Sequence, residues 1–191
     1  AIYRVCCVHN TLTPDQIDTT ALEGVTDTVR GYWWTSPYSL EILQPLVLAY
    51  DLSITEYEGK LRFAKRGSGS THYITEDDLG VSQGKSGGSP LMRVRESAES
   101  QQVLTTTVKY TDPGANFAES EQIFTRPDIE FGKRVTMDLT RLTLSADEAR
   151  VLAQRSTWQA VMYRQEVSFV LGPKWGHVVV GDNVSISDVL D

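Results

Sequence analysis

Apolar and polar positions change period several times along the chain, and each change marks the edge of an element. The clearest switch lies between Leu142 and Ile186. Ala149, Leu152, Ala153, Ser156, Ala160 and Tyr163 recur at helical spacing, a narrow stripe of mostly small residues suited to close packing on a sheet. Ser145-Ala-Asp-Glu148 precedes them as a capping box: the serine oxygen takes one orphan N–H and the glutamate reaches back to another. From Gln165 the period becomes two. Glu166 to Leu171 alternates as a half-buried strand does, and Gly172-Pro173 stops it. Val178 to Val180, Gly181-Asp182 and Val184 to Ile186 then predict strand, turn and strand.

Upstream the same reading continues. Thr13-Pro-Asp-Gln16 repeats the capping logic with proline at the first helical position, predicting a short helix to about Leu22 that ends at Gly24. Val25 to Trp34 is rich in β-formers and predicts a strand. Ser36-Pro37 opens a helix with Leu40, Leu43, Val47 and Tyr50 on its buried face; Pro45 inside it removes one backbone bond and predicts a kink or break. Leu52 to Tyr57 and Lys60 to Ala64, joined by Glu58-Gly59, predict a tight hairpin. A turn over Gly67 to Ser70, a strand His72 to Ile74 and a helical turn capped by Thr75 to Asp78 follow. Gly80 to Pro90 is mostly Gly, Ser and Lys and reads as an exposed loop or boundary.

Beyond it the pattern is all strand: Leu91 to Glu96, Val103 to Tyr110, Phe117 to Arg126 and Lys133 to Leu142, with Asp112-Pro-Gly114 turning between the second and third. Ile2, Val5, Cys6 and His9 share one helical face with no cap before them, so the opening residues read as the interior of an element and the chain as part of a longer polypeptide. No solenoid repeat or heptad pattern occurs. The layout is α+β.

Composition narrows the function classes. The 191 residues are 40% hydrophobic and 23% charged, an ordinary balance for a globular fold. No apolar run approaches the ~20 residues that cross a bilayer. A formal net charge of -7 disfavours nucleic acid as an attractive partner, because phosphate binding needs clustered cations. The nearest cluster is Lys60, Arg62, Lys65 and Arg66. The adjacent pair Cys6-Cys7 staples no loop and reads as buried reduced thiols rather than a disulfide or redox pair.

Candidate chemistry is thin. Gly80-Val-Ser-Gln-Gly84-Lys85-Ser86 has three residues between its glycines where a phosphate-cradling loop needs four, and a strand rather than a helix follows. His9, His72 and His177 stand alone on separate segments, with no ligand at i+2, i+3 or i+4 for zinc. Glu76-Asp77-Asp78 is explained by helix capping without a calcium loop. A Ser-His-Asp triad assembles only in space, but no GxSxG elbow occurs. Trp33-Trp34 faces opposite ways on a strand, one side for core and the other for an interface. The expectation is therefore no enzyme, no catalytic, cofactor-binding or metal-binding residues, and no cofactor.

Several stretches together resemble a known family. Asp18-Thr-Thr-Ala-Leu22, Val29-Arg-Gly-Tyr32, Ser39 to Leu46 and Tyr57-Glu-Gly-Lys-Leu-Arg-Phe63 are similar to the central hub, or tail-tip attachment, proteins of long-tailed bacteriophages and gene transfer agents, the group that includes the phage lambda tip attachment protein. Val108-Lys-Tyr-Thr-Asp-Pro113, Leu144 to Arg150, Phe169-Val-Leu-Gly-Pro173 and Val180-Gly-Asp-Asn-Val184 carry the likeness through the second half. It implies an antiparallel β-barrel-like tail-hub domain with one packed helix, plus a small helix-and-hairpin α/β module. The expected domains are 1–66 (the module), 67–90 (a flexible connector) and 91–191 (the tail-tube-like barrel portion), with interleaving a feature of the family. The resemblance further implies a structural component of the tail tip or baseplate hub. There it would form a homotrimeric ring that joins tube to tip, contacts tube, distal-tail and fibre proteins, and lets DNA pass without specific binding or membrane insertion. The place would be the virion tail tip, after assembly in the host cytoplasm. The alternatives are a receptor- or carbohydrate-binding module of the tip, and a cell-wall hydrolase.

Overall fold

The computed structural model describes residues 2, 6–7, 12–23, 28–36, 38–80, 92–96 and 102–186. Among them lie strands β1 (Ile17–Asp18), β2 (Leu52–Tyr57), β3 (Lys60–Lys65), β4 (Thr71–Ile74), β5 (Met92–Glu96), β6 (Val103–Asp112), β7 (Ala118–Thr125), β8 (Lys133–Thr143), β9 (Gln165–Phe169) and β10 (Asn183–Ile186). The α-helices are α1 (Ser39–Tyr50) and α2 (Ala146–Met162), and short 3-10 turns include Pro14–Gln16, Thr20–Leu22, Glu76–Asp78 and Pro173–Trp175. The class is α+β. Two compact units share the chain in alternation: residues 1–17, 24–51 and 97–164 form one, and 18–23, 52–96 and 165–191 the other. Neither unit coincides with a run of consecutive residues such as 1–66 or 91–191.

The first unit centres on a three-stranded sheet in the order β7-β6-β8. β7 is antiparallel to β6, but β8 is parallel to it, so the expected all-antiparallel arrangement does not hold. Residues 126–132 are the cause. They carry the chain past the start of β6, from the β7 edge, where Arg126 N–H donates to Leu104 O (2.9 Å), to the β8 edge, where Lys133 N–H donates to Gln102 O (2.8 Å). Gly132 is pressed against that start: a Cβ there would lie 2.6 Å from Gln102 O and 2.9 Å from Leu104 Cβ. Alternation of side chains has the same period in either strand direction, so the sequence pattern carries no sign of this choice. The described sheets have three, three, two and two strands and are open.

α2 covers one face of that sheet. Its capping box forms: Ser145 Oγ accepts Glu148 N–H (3.3 Å) and Glu148 Oε2 accepts Ser145 N–H (2.7 Å). The buried stripe is Ala149, Leu152, Ala153 and Thr157. The expected line continued instead through Ser156 and Ala160, which are half-buried, to Tyr163, which is exposed. The shift is polar in origin. Thr157 Oγ1 lies 2.7 Å from Thr106 Oγ1 of β6 and 2.8 Å from Ala153 O, and the two hydroxyl protons satisfy both contacts in a buried setting.

α1 runs unbroken through Pro45, and Asp51, which caps its C-terminus, turns left-handed at φ 52°. Its buried residues are Ile42, Leu43, Pro45, Leu46 and Ala49, whereas Leu40, expected inside, is 74% exposed. Apolar residues ring this helix almost completely, so their spacing does not select a face. Arg155 Nη2 donates to Ala49 O (2.7 Å) and Gln159 Nε2 to Asp51 Oδ2 (2.6 Å), tying α1 to α2. Residues 28–36 are extended without forming the expected strand. They touch β8 at one antiparallel bridge, Tyr32 to Leu142, and the rest of that expected strand, residues 25–27, lies outside the described residues.

In the second unit β2 and β3 pair from Leu52↔Lys65 to Tyr57↔Lys60. Glu58 and Gly59 both have positive φ (51° and 73°), the conformation of a type I′ turn matched to strand twist. β5 pairs antiparallel with β9 and β4 pairs parallel with β10. The expected short helix from Pro14 to Leu22 is instead two 3-10 turns flanking β1. Val178 to Val180 is a turn rather than a strand, because Val179 N–H donates to Asp182 Oδ2 and Asp182 N–H to Val179 O, both at 3.1 Å.

Ala153 is 0% exposed under α2, a better probe of this packing than Ala160. Ala153→Asp is expected to destabilise the chain by ~3–5 kcal/mol through burial of an unpaired carboxylate. A melting midpoint equal to that of the parent would mean that α2 does not seat on the sheet.

Candidate functional site

The β7-β6-β8 sheet has two unlike faces. Thr106, Val108 and Tyr110 of β6 are buried, and Val135, Met137 and Leu139 of β8 stand beside them in register. The opposite face carries Thr105, Thr107, Lys109 and Thr111 of β6. Their neighbours there are Glu119, Glu121, Ile123 and Thr125 of β7, and Arg134, Thr136 and Asp138 of β8. Charges on this face sit in a cross-strand row, with Lys109 opposite Glu121 on one side and Asp138 on the other. Thr105 and Thr125 hydroxyls bridge at 3.3 Å. Asp138 is held below the usual carboxylate range, first by the Thr140 hydroxyl and amide, and further by Lys109 and Arg141 against the opposing effect of burial. Three carboxylates and two cations, spread among threonines, give a wettable and weakly acidic wall.

The histidines are brought together, which their sequence spacing did not signal. The His72 and His177 rings lie 5.2 Å apart, and Trp175 stacks on His177 at 5.7 Å. Asp182 is the hub of this cluster, accepting from His72 Nε2 (3.0 Å), Val179 N–H (3.1 Å) and Ser70 N–H (3.2 Å). An ionised carboxylate only accepts, so His72 carries its proton on Nε2. Burial pushes the Asp182 carboxyl up, but the Val179 amide, His72 and the Ser70 amide outweigh it and leave it below its ordinary value. Asn183 Nδ2 also donates to Gly67 O and Gly69 O (3.1 and 3.3 Å). A Cβ on Gly69 would stand 2.5 Å from Gly181 O. The cluster thus clasps two turns and sets the parallel β4–β10 pairing. It presents no nucleophile. Among the described residues no group of three His, Cys, Asp or Glu side chains is placed to hold a metal.

The remaining sequence candidates are scattered. Asp78 caps its turn through Thr75 (3.2 Å to the amide) and pairs with the Lys174 ammonium. That lysine, then the Thr75 amide, hold its carboxyl low. Burial pushes the Cys6 thiol up, with Cys7 adding to it, as expected for an inert reduced pair. Trp33 is 52% exposed and Trp34 half-buried. Trp158 is covered by Arg126 at 5.5 Å and Phe124 at 6.5 Å. The segment 81–90, with its glycines and Lys85, and His9 lie outside the described residues. No described helix is long and apolar enough to cross a membrane.

Comparison with known proteins agrees with the sequence resemblance as far as a phage tail protein. A family model described as "Putative phage tail protein" matches residues 40–190. The chain belongs to this phage tail protein family. Its fold is similar to a chain from the "Virion of native gene transfer agent (GTA) particle", with a TM-score of 0.81 and 24% identity over 95% of this chain and 39% of that one. It is also similar to the 43 kDa tail protein of prophage MuSo2 from Shewanella oneidensis, with a TM-score of 0.54 and 14% identity over 98% of this chain and 55% of that one. The chain therefore spans well under two thirds of either. No curated protein sequence matches it.

The clasp predicts an acid limb of stability. Asp182 has a folded pKa below its unfolded value of about 3.9, so its contribution is fully present above that value and is lost as pH falls through the folded one. Asp182→Asn is expected to lower the melting midpoint at pH 7 and to weaken its fall as pH drops below about 4. Identical acid limbs in variant and parent would show that the clasp does not form. His177 is exposed, and His177→Ala is expected to leave the midpoint within ~0.5 kcal/mol of the parent.

Proposed function

We propose that this phage tail family member is a structural subunit of the tail tip or baseplate hub. In this reading identical copies form a ring joining the tube to the tip, through which DNA passes. The observation that carries the proposal is the two-faced β7-β6-β8 sheet, apolar under α2 and polar on the side that no described element of its unit covers. A ring built head to tail closes on itself, and a water-filled passage asks of its wall a hydrated surface without clustered cations. DNA held by phosphate contacts would be retarded; the row Glu121–Lys109–Asp138 neutralises the central lysine. A homotrimer with a tube-like barrel completed between copies follows from the hub resemblance, and tube, distal-tail and fibre proteins would be its neighbours. The place is the tail tip of the virion, reached after assembly in the host cytoplasm. The reading is non-enzymatic, and the histidine cluster serves as a clasp.

The wall function is testable apart from location. Glu119→Lys with Glu121→Lys turns the polar face basic while leaving its buried side untouched. The variant is expected to bind duplex DNA at low salt, with affinity falling steeply as salt rises, where the parent shows no binding by fluorescence anisotropy. Equal binding by parent and variant would remove the face from consideration as a passage wall. For the hub position, gold-labelled antibody or an averaged particle image is expected to place the chain at the tail tip in a closed ring of three copies. Density along the shaft or in the head would overturn it.

A further inference from the structure

We propose that His72 and His177 together form a binding site for a divalent cation of the zinc class, an assignment independent of the tail reading. Both residues lie in the second unit, His72 on β4 and His177 just after the turn Pro173–Trp175. Each ring is held through its protonated nitrogen. His72 Nε2–H donates to Asp182 Oδ2 (3.0 Å), and His177 Nδ1–H donates to the Lys174 carbonyl (3.1 Å). An ionised carboxylate and a carbonyl only accept, so both tautomers are fixed and the remaining lone pairs belong to His72 Nδ1 and His177 Nε2. A histidine that ligates a metal almost always donates its other N–H to a carboxylate or a backbone carbonyl. Here one ring has each kind of support.

The ring separation agrees with a shared ion. Two imidazoles on one tetrahedral zinc, with Zn–N bonds of about 2.0–2.1 Å, hold their ring centres about 5.2 Å apart. The centres of His72 and His177 are 5.2 Å apart, with their planes inclined at 63°. Ordinary ring packing permits that distance too, but it asks nothing of the nitrogens. The supports are also anchored. Asp182 accepts from the Ser70 and Val179 amides as well as from His72, and its side chain is only 7% exposed. Trp175 lies along His177 with the two planes 27° apart. His177 itself is exposed, so an ion reaches the pair from solvent.

Ligand chemistry selects the ion. Neutral imidazole suits zinc and its late first-row neighbours, whereas magnesium and calcium prefer oxygen. Two protein ligands leave two tetrahedral positions for water, which makes an exchangeable site rather than the closed four-ligand structural kind. A bound ion ties β4 to the turn ahead of β10 from a second side and so adds to the Asp182 clasp. The ligands stand more than a hundred residues apart in the chain, which is why no short ligand spacing marks them.

The test titrates the purified chain, freed of metal by a chelator, with Zn²⁺ and separately with Mg²⁺. Calorimetry is expected to show one Zn²⁺ bound per chain. Zn²⁺ at about 0.5 mM is expected to raise the melting midpoint, and Mg²⁺ to leave it unchanged. His177→Ala, which keeps the parent's midpoint without metal, is expected to bind Zn²⁺ at least about tenfold more weakly. In a nitrogen NMR spectrum of the rings, His72 Nδ1 and His177 Nε2 are expected to shift on Zn²⁺ addition while His72 Nε2 keeps its proton. Failure of the parent to bind Zn²⁺, or His72 signals that do not move, would overturn the proposal. So would equal Zn²⁺ binding by His177→Ala, which would place the ion elsewhere, at the Cys6-Cys7 thiols for example. An equal response to Mg²⁺ would do the same, since it would mark general attraction to a chain of net charge -7.

Discussion

The first unit depends on the seat of α2 on β6. A threonine pair, Thr157 on the helix and Thr106 on the strand, lies wholly buried with its hydroxyls 2.7 Å apart. Ala149 and Ala153 let the helix approach closely enough for that bond to form, and the apolar side chains of β6 and β8 close around it. A hydrogen bond of this kind adds little net stability, but an unmet hydroxyl in the same place would cost ~1–3 kcal/mol. The pair therefore sets the rotation of the helix, and with it which of its faces points outward. α1 is positioned in turn, through Arg155 and Gln159.

One helical layer buries one side of the sheet, and no described element of the unit covers the other. The threonines and the compensated charge row of that other side suit water. Among the described residues no strand pairs with the outer edge of β8 from Lys133 to Thr140. The family membership makes a tail the natural setting for such a sheet. Nothing in the histidine cluster competes with that assignment: its one buried carboxylate is already saturated by three donors that hold two turns together.

Much of this was legible in the residues. The Ser145 capping box, the Glu58-Gly59 turn and the strands from Val103 to Thr143 are specified by side chains a few positions apart, and they form where the sequence places them. That the chain is a phage tail protein was legible too, from an ordered series of short motifs. What failed locally was the choice of face on α1, where apolar residues lie all round, and the described part of the strand expected from Val25 to Trp34, which β-propensity favours but which joins β8 at a single bridge.

Other features belong to the tertiary structure alone. Whether β8 pairs parallel or antiparallel depends on a crossing beneath β6 that only Gly132 permits, and alternation is blind to direction. The alternation of segments between two compact units, and the meeting of His72 with Asp182 across more than a hundred residues, are set by which surfaces find each other in space. Short-range chemistry determines the elements, since its partners are always within reach along the chain. Long-range burial decides their order, direction and open edges, because those depend on partners that the local sequence does not contain.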